Sequence, residues 1–265
     1  MKKIVFSALL LLFSFNSFSS HLMGGEITWK CIKSGSDIGK YIFTMKVYRD
    51  CSGITVSTLT QTIQVWNHPS VVSFQLDFLL NQDVSPICDP INSGNSQLNC
   101  ASGDPGSVEE YIFESQPVQL PGVPPNIGWQ FTWDNCCRNA AITNILNPSS
   151  AGFTLRASMY PFIDPTSGTA IPADPCFDSS PEFKEQPKTI LCTGFPFSYS
   201  HNAADEELDE LIYSWGEPLD DFGLVYNPPV DPLPLIYNAP YTISSPLPGN
   251  PSLDPSTGEI SYDAN

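Results

Sequence analysis

In the stretch Gly128-Trp-Gln-Phe-Thr-Trp-Asp-Asn-Cys-Cys-Arg-Asn139, Trp129, Phe131 and Trp133 recur at every second position. Side chains at that spacing project from one face of an extended strand. Three large rings on one face need a core to enter, so the stretch predicts the central strand of a β domain. It then runs into Cys136 and Cys137. Neighbours on a strand point to opposite faces, and a bond between adjacent cysteines strains the backbone. Two different partners are therefore expected. Cys31 and Cys51, each closing a predicted strand in the same half of the chain, are the natural ones. The stretch holds no recognisable catalytic group.

The expectation of cross-links rests on where the chain is sent. Lys2 and Lys3 precede an apolar run over residues 4–15, and Ser17-Phe-Ser19 fits a small-x-small cleavage pattern. This is the layout of a secretory signal over residues 1–19, cleaved near Ser19, and its apolar run is short for a membrane span. All eight cysteines follow it. An even count in an exported chain predicts a disulfide framework. Cys88 and Cys100 fall in a long polar stretch over residues 81–107. A bond between them would tie that loop, worth about 3 kcal/mol on the chain-entropy model. Cys176 and Cys192 flank the start of a second unit and are expected to clamp it. Zinc is disfavoured: no Cys-x-x-Cys occurs, and His21, His68 and His201 lie far from the cysteines.

Period two recurs elsewhere. Strands are expected near residues 26–31, 40–51, 55–66, 71–80, 108–114, 129–133 and 153–160. In the second of these, Tyr41, Phe43, Met45 and Val47 form the core face, and Ile42, Thr44, Lys46 and Tyr48 the other. Residues 140–146 are the one place where a helical turn is expected, ended by Asn147-Pro148. Twenty-six prolines, about twice the usual share, suit short strands with many turns. The fold class expected is all-β, with two β-sandwich units of the immunoglobulin-like or cadherin-like kind. The first is a disulfide-stapled sandwich over residues 20–162. A Pro/Asp/Ser-rich junction covers 163–184. The second, over 185–265, has strands expected at 189–199 and 211–215 and is incomplete at its C-terminus.

Charge narrows the partners. The chain has 28 acidic and 11 basic residues, a net charge of −17, and loss of Lys2 and Lys3 with the signal takes it to −19. Such a field repels nucleic acid and anionic lipid. It attracts divalent cations. Asp205, Glu207 and Asp209 alternate within residues 201–210 and are the candidate ligands for calcium, the only cofactor suggested; Asp220 and Asp221 are candidates to complete the set. A solvated acidic loop is the alternative. No Gly-x-Ser-x-Gly or His-Glu-x-x-His occurs, and no carboxylate pair is placed to face another across a cleft, so no enzyme is expected. His68, in Trp66-Asn-His-Pro69, is expected to be a turn histidine. Trp29, Trp66 and Trp215 are candidates for a glycan-stacking platform or for the core.

Two resemblances fit this outline. Ala203-Ala-Asp205-Glu-Glu207-Leu-Asp209-Glu-Leu211-Ile-Tyr213, with Leu253-Asp254 and Thr257-Gly258-Glu-Ile260, resembles the cadherin-like and related immunoglobulin-like repeats of bacterial surface proteins. Leu208 stands where those repeats carry glycine, and Glu207 where they carry aspartate. Ser20-His-Leu-Met-Gly-Gly-Glu-Ile-Thr-Trp-Lys-Cys31, Phe43-Thr-Met-Lys-Val-Tyr-Arg-Asp-Cys51 and Asp134-Asn-Cys-Cys-Arg-Asn139 resemble the start of large secreted Bacteroidota proteins of the gliding-motility and type IX secretion class. The resemblances imply a secreted or cell-surface structural and adhesion module, non-catalytic, forming the N-terminal part of a longer protein. Its partners would be downstream domains, other surface proteins or glycans. A carbohydrate-binding module is the alternative.

Overall fold

The computed structural model describes residues 22–85, 98–104, 106–186, 196–222 and 232–263. The signal, His21, Cys88 and Cys192 lie outside them. Seven strands build the main body: β1 (Leu22–Cys31), β2 (Tyr41–Asp50), β3 (Gln61–Trp66), β4 (Ser73–Asp83), β5 (Val108–Ser115), β6 (Trp129–Cys136) and β7 (Gly152–Met159). They form one antiparallel sheet in the order β1-β2-β5-β4-β3-β6-β7. The fold is an all-β sandwich, as the period-two pattern implies. On β2 the expected core face, Tyr41, Phe43, Met45 and Val47, is buried.

The sheet curls over on itself. Trp29 belongs to the first strand of the order and Phe131 to the sixth, yet their ring centroids are 5.8 Å apart. Phe43 lies 4.6 Å from Phe74 and 4.7 Å from Phe131, so rings from the two halves of the sheet interlock across one core. Trp129 and Phe131 are fully buried and Trp133 nearly so. The curl brings the outer edges of β1 and β7 together. Gly25 marks the approach: an added Cβ would lie 2.5 Å from the Lys46 carbonyl oxygen and 2.8 Å from Leu155 Cδ1. Glycine inside a strand serves where another chain segment comes this close.

The second half is sparser. β8 (Glu182–Phe183) pairs with β10 (Ala203–Ala204), while β9 (Pro196–Ser200), β12 (Glu259–Asp263) and β11 (Ser252–Leu253) make a three-stranded sheet. Among the described residues from 182 onward only Pro232 and Gly258 are buried. Much of this half is strapped to the edges of the main sheet. Ser180 donates its N–H to the Trp29 carbonyl (2.9 Å) and accepts from the Trp29 N–H through its hydroxyl (2.8 Å). Ser179 Oγ accepts from the Cys31 N–H, and the Tyr41 hydroxyl donates to the Ala173 carbonyl at 2.9 Å. On the other edge, Asp220 accepts from the Gly152 N–H and the Thr154 hydroxyl. Edge strands carry unpaired backbone groups, and these straps satisfy several of them.

Local expectations fare unevenly. Residues 140–146 form a turn and then an isolated bridge from Ile145 to Tyr237, in place of a helix. Residues 211–215 run without strand pairing, and the strand expected from residue 55 begins only at Gln61.

The disulfide pairing differs from the expected one. Cys31 bonds Cys176, Cys51 bonds Cys100, and Cys136 bonds Cys137. The strap over β1 carries Cys176 to Cys31, and the turn after β2 meets Cys100, so neither Cys31 nor Cys51 is left for the vicinal pair. β6 ends at Cys136, opposite Gly152. Cys137 thus lies beyond the paired strand, where alternation no longer sends neighbours to opposite faces. Cys100 and Cys176, the expected partners of Cys88 and Cys192, are both taken.

Candidate functional site

The acidic loop after β10 turns on itself. Asp205 Oδ1 accepts from the N–H groups of Glu207 (2.9 Å) and Asp209 (3.1 Å), closing an Asx-type turn. Leu208 has φ +67° and is 89% exposed. A leucine in the left-handed region costs on the order of 1–2 kcal/mol, and here burial returns almost nothing.

The loop lies against the strap over β1. Glu207 accepts from the Ser179 N–H (3.1 Å), from the Ser179 hydroxyl (3.2 Å) and from the Lys33 ammonium. Ser179 is itself buried, and its hydroxyl links Glu207 to the backbone of Cys31. Glu206 pairs with Lys30 at 3.1 Å. Burial pushes the Glu207 carboxyl up, but the Lys33 and Ser179 bonds outweigh it and hold it below the usual range. Asp178 has the opposite fate. Burial, then the charges of Glu207, Asp209 and Asp205, push it up to about 6.

Of the three expected calcium ligands, Asp205 caps its own turn, Glu207 faces Ser179 and Lys33, and Asp209 donates its N–H to Asp205; the charges of all three act on Asp178, and Asp220 is spent on the first residues of β7. Among the described residues no group of three or more His, Cys, Asp or Glu side chains is arranged to hold a metal ion. The cluster works as a latch of charge-assisted hydrogen bonds between segments far apart in sequence.

The tryptophans divide. Trp29, Trp129 and Trp133 are core. Trp66 and Trp215 are half-buried; Trp66 Nε1 donates to Thr132 Oγ1 at 2.7 Å and its ring meets the edge of Phe222 at 5.7 Å. His68 builds its turn, as expected: Nδ1 accepts from the N–H groups of Ser70 (3.1 Å) and Val71 (2.9 Å). The ring packs 4.3 Å from Trp129, and burial lowers its pKa.

Sequence reasoning missed a cleft of about 330 Å³ along the seam between β1 and β7, walled by Leu155, Phe183, Leu211 and Tyr213. The signal was Gly24-Gly25 inside a strand. It also missed Asp178, which no motif marks. Among the described residues no helix is long and apolar enough to cross a membrane. Compared with protein-family models, with curated proteins and with solved structures, the chain matches none.

Proposed function

We propose that this chain is an exported, non-catalytic structural and adhesive module of a cell surface, built to hold its shape while displaying other domains. The observation that supports this most is the bracing of distant segments onto one sheet. Cys31–Cys176 closes a separation of 145 residues and Cys51–Cys100 one of 49. On the chain-entropy model such closures stabilise by roughly 5 and 4 kcal/mol when taken singly. They form and persist in oxidising, extracytoplasmic surroundings. The secretory signal layout and the resemblance to secreted Bacteroidota surface proteins and cadherin-like repeats agree with that setting.

The test is localisation joined to thiol status. Intact producing cells are treated with a membrane-impermeant amine label, and the protein is recovered and mapped without reduction. Labelled protein carrying oxidised Cys31 and Cys51 is the expected result. A protein found unlabelled, inside the cell and with free thiols, removes the proposal. Loss of surface attachment on deletion then tests the adhesive part. The second reading, a carbohydrate-binding module, rests on Trp66 and Trp215, the tryptophans outside the buried core. Quenching of their fluorescence by soluble glycans, abolished by Trp66→Ala and Trp215→Ala, would favour it.

A further inference from the structure

One cation is left over in a chain with 28 acidic residues against 11 basic ones. Among the described residues Lys30, Lys33, Lys40, Lys46, Arg49 and Lys184 each pair with a carboxylate, and Arg138 donates to the Gly152 and Leu219 carbonyls. Arg156 has no such partner among them. Alternation along β7 turns Leu155 into the core and leaves Arg156 exposed on the opposite face. There Arg156 lines the cleft of about 330 Å³ at the seam with β1. Glu26 and Glu182 line it too, but Lys46 bridges them at 2.9 and 3.0 Å and Lys184 also pairs with Glu182. Two carboxylates and two ammoniums balance, so the Arg156 charge is the excess. Glu217 lines the neighbouring cleft that Arg156 also reaches, and forms no ion pair with it.

The rest of the lining is mostly apolar and fixed in advance. Tyr213 donates its N–H to the Pro255 carbonyl at 2.8 Å, and its ring lies over Gly258, where an added Cβ would come within 2.5 Å of it. Phe183 pairs with Ala203 and its ring lies 4.8 Å from that of His201. Yet Phe183 is 42% and Ile212 80% exposed. Large apolar side chains gathered at one mouth and left in water mark a groove that gains by being covered.

We propose that this cleft binds a small anionic amphiphile, a carboxylate on an unbranched apolar chain, as in a free fatty-acid anion. The guanidinium of Arg156 takes the carboxylate, whose two oxygens match its planar fork. The chain lies against Leu155, Phe183, Leu211 and Tyr213, and covers Ile212 at the mouth. The volume falls at the lower end of small-molecule sites, about 300–1,000 Å³, which are likewise apolar with a few placed polar groups. Charge complementarity selects the occupant. An uncharged amphiphile leaves Arg156 without a partner, and a cationic one meets its like charge.

The experiment titrates the full chain with decanoate, kept below its micelle-forming concentration, and with decanol, by calorimetry. Decanoate should bind at a single saturable site, about tenfold more tightly than decanol. Arg156→Gln should remove that preference by weakening decanoate alone, Arg156→Lys should restore part of it, and Ile212→Ser should weaken both ligands alike. Both residues are exposed, and circular dichroism checks that each variant folds. Absence of saturable decanoate binding overturns the proposal, as do equal affinities for decanoate and decanol in the wild type or an unchanged decanoate affinity in Arg156→Gln. Tighter binding of acetyl-Leu-Leu-Leu, an apolar peptide with a free carboxylate, also overturns it in favour of a peptide terminus. If a variant does not fold, the wild-type comparison of decanoate, decanol and the peptide decides alone.

Discussion

Glu207 holds Ser179 by two hydrogen bonds, from its backbone N–H at 3.1 Å and from its hydroxyl at 3.2 Å. Ser179 is 4% exposed, so loss of the carboxylate strands a buried N–H. Glu207→Ala is expected to lower stability by about 1–3 kcal/mol, and Glu207→Gln by less, since the amide oxygen still accepts. Urea midpoints at constant m-value read this out. An unchanged midpoint in the alanine variant would show the latch to be idle.

Asp178 sits beside that latch and is disfavoured as an anion. Its folded pKa is raised from 3.8 to about 6 by burial and then by Glu207, Asp209 and Asp205. A raised carboxyl destabilises the fold fully above about pH 6, and the penalty fades as pH falls from 6 towards 3.8. Asp178→Asn is therefore expected to raise the melting temperature at pH 7–8 and to match wild type near pH 4. A variant that melts lower at pH 8 contradicts this.

His68 acts with the opposite sign. Burial lowers its pKa below 6.5, and both turn N–H groups need Nδ1 unprotonated. Its contribution to stability is present above pH 6.5 and is lost as pH falls through the lower folded value. His68→Asn retains an acceptor for the turn and removes the titration. The wild-type minus variant difference in unfolding free energy should shrink on acidification from pH 7 to 5; a flat difference rules this out.

Leu208 is the reverse of a core leucine: φ is +67° and the side chain is almost wholly in water. Leu208→Gly removes the left-handed strain but adds freedom to the unfolded chain. The two effects leave a net gain of up to about 1 kcal/mol. Chemical denaturation of the pair measures it, and a clear loss would mean that Leu208 makes contacts elsewhere.

Cys31→Ser with Cys176→Ser is expected to destabilise the fold by about 2–5 kcal/mol. The freed strap should also expose the β1 edge. Hydrogen exchange at the Trp29 and Cys31 amides, which the Ser180 and Ser179 hydroxyls accept from, should accelerate before exchange on β2 does. Equal protection in the variant would assign the strap to its hydrogen bonds alone.

The strands were legible because side-chain alternation is local. Tyr41, Phe43, Met45 and Val47 were assigned to the core from spacing, and all four are buried there. The same held for Trp129, Phe131 and Trp133. The acidic stretch after β10 was legible as a loop, which Asp205 closes on the N–H groups two and four residues on. Its purpose was not, because Lys33 and Ser179 reach Glu207 from other parts of the chain.

By itself the sequence determined which residues extend, which face of each strand is apolar, and that the cysteines serve an oxidised protein. Tertiary structure alone decided which cysteines pair, that Glu207 closes a latch onto Ser179 and Lys33, and that β1 and β7 meet at Gly25. The reason is physical. Alternation and turn chemistry act over a few residues, whereas Cys31 and Cys176, or Lys33 and Glu207, become neighbours only after the curled sheet has brought its two edges together.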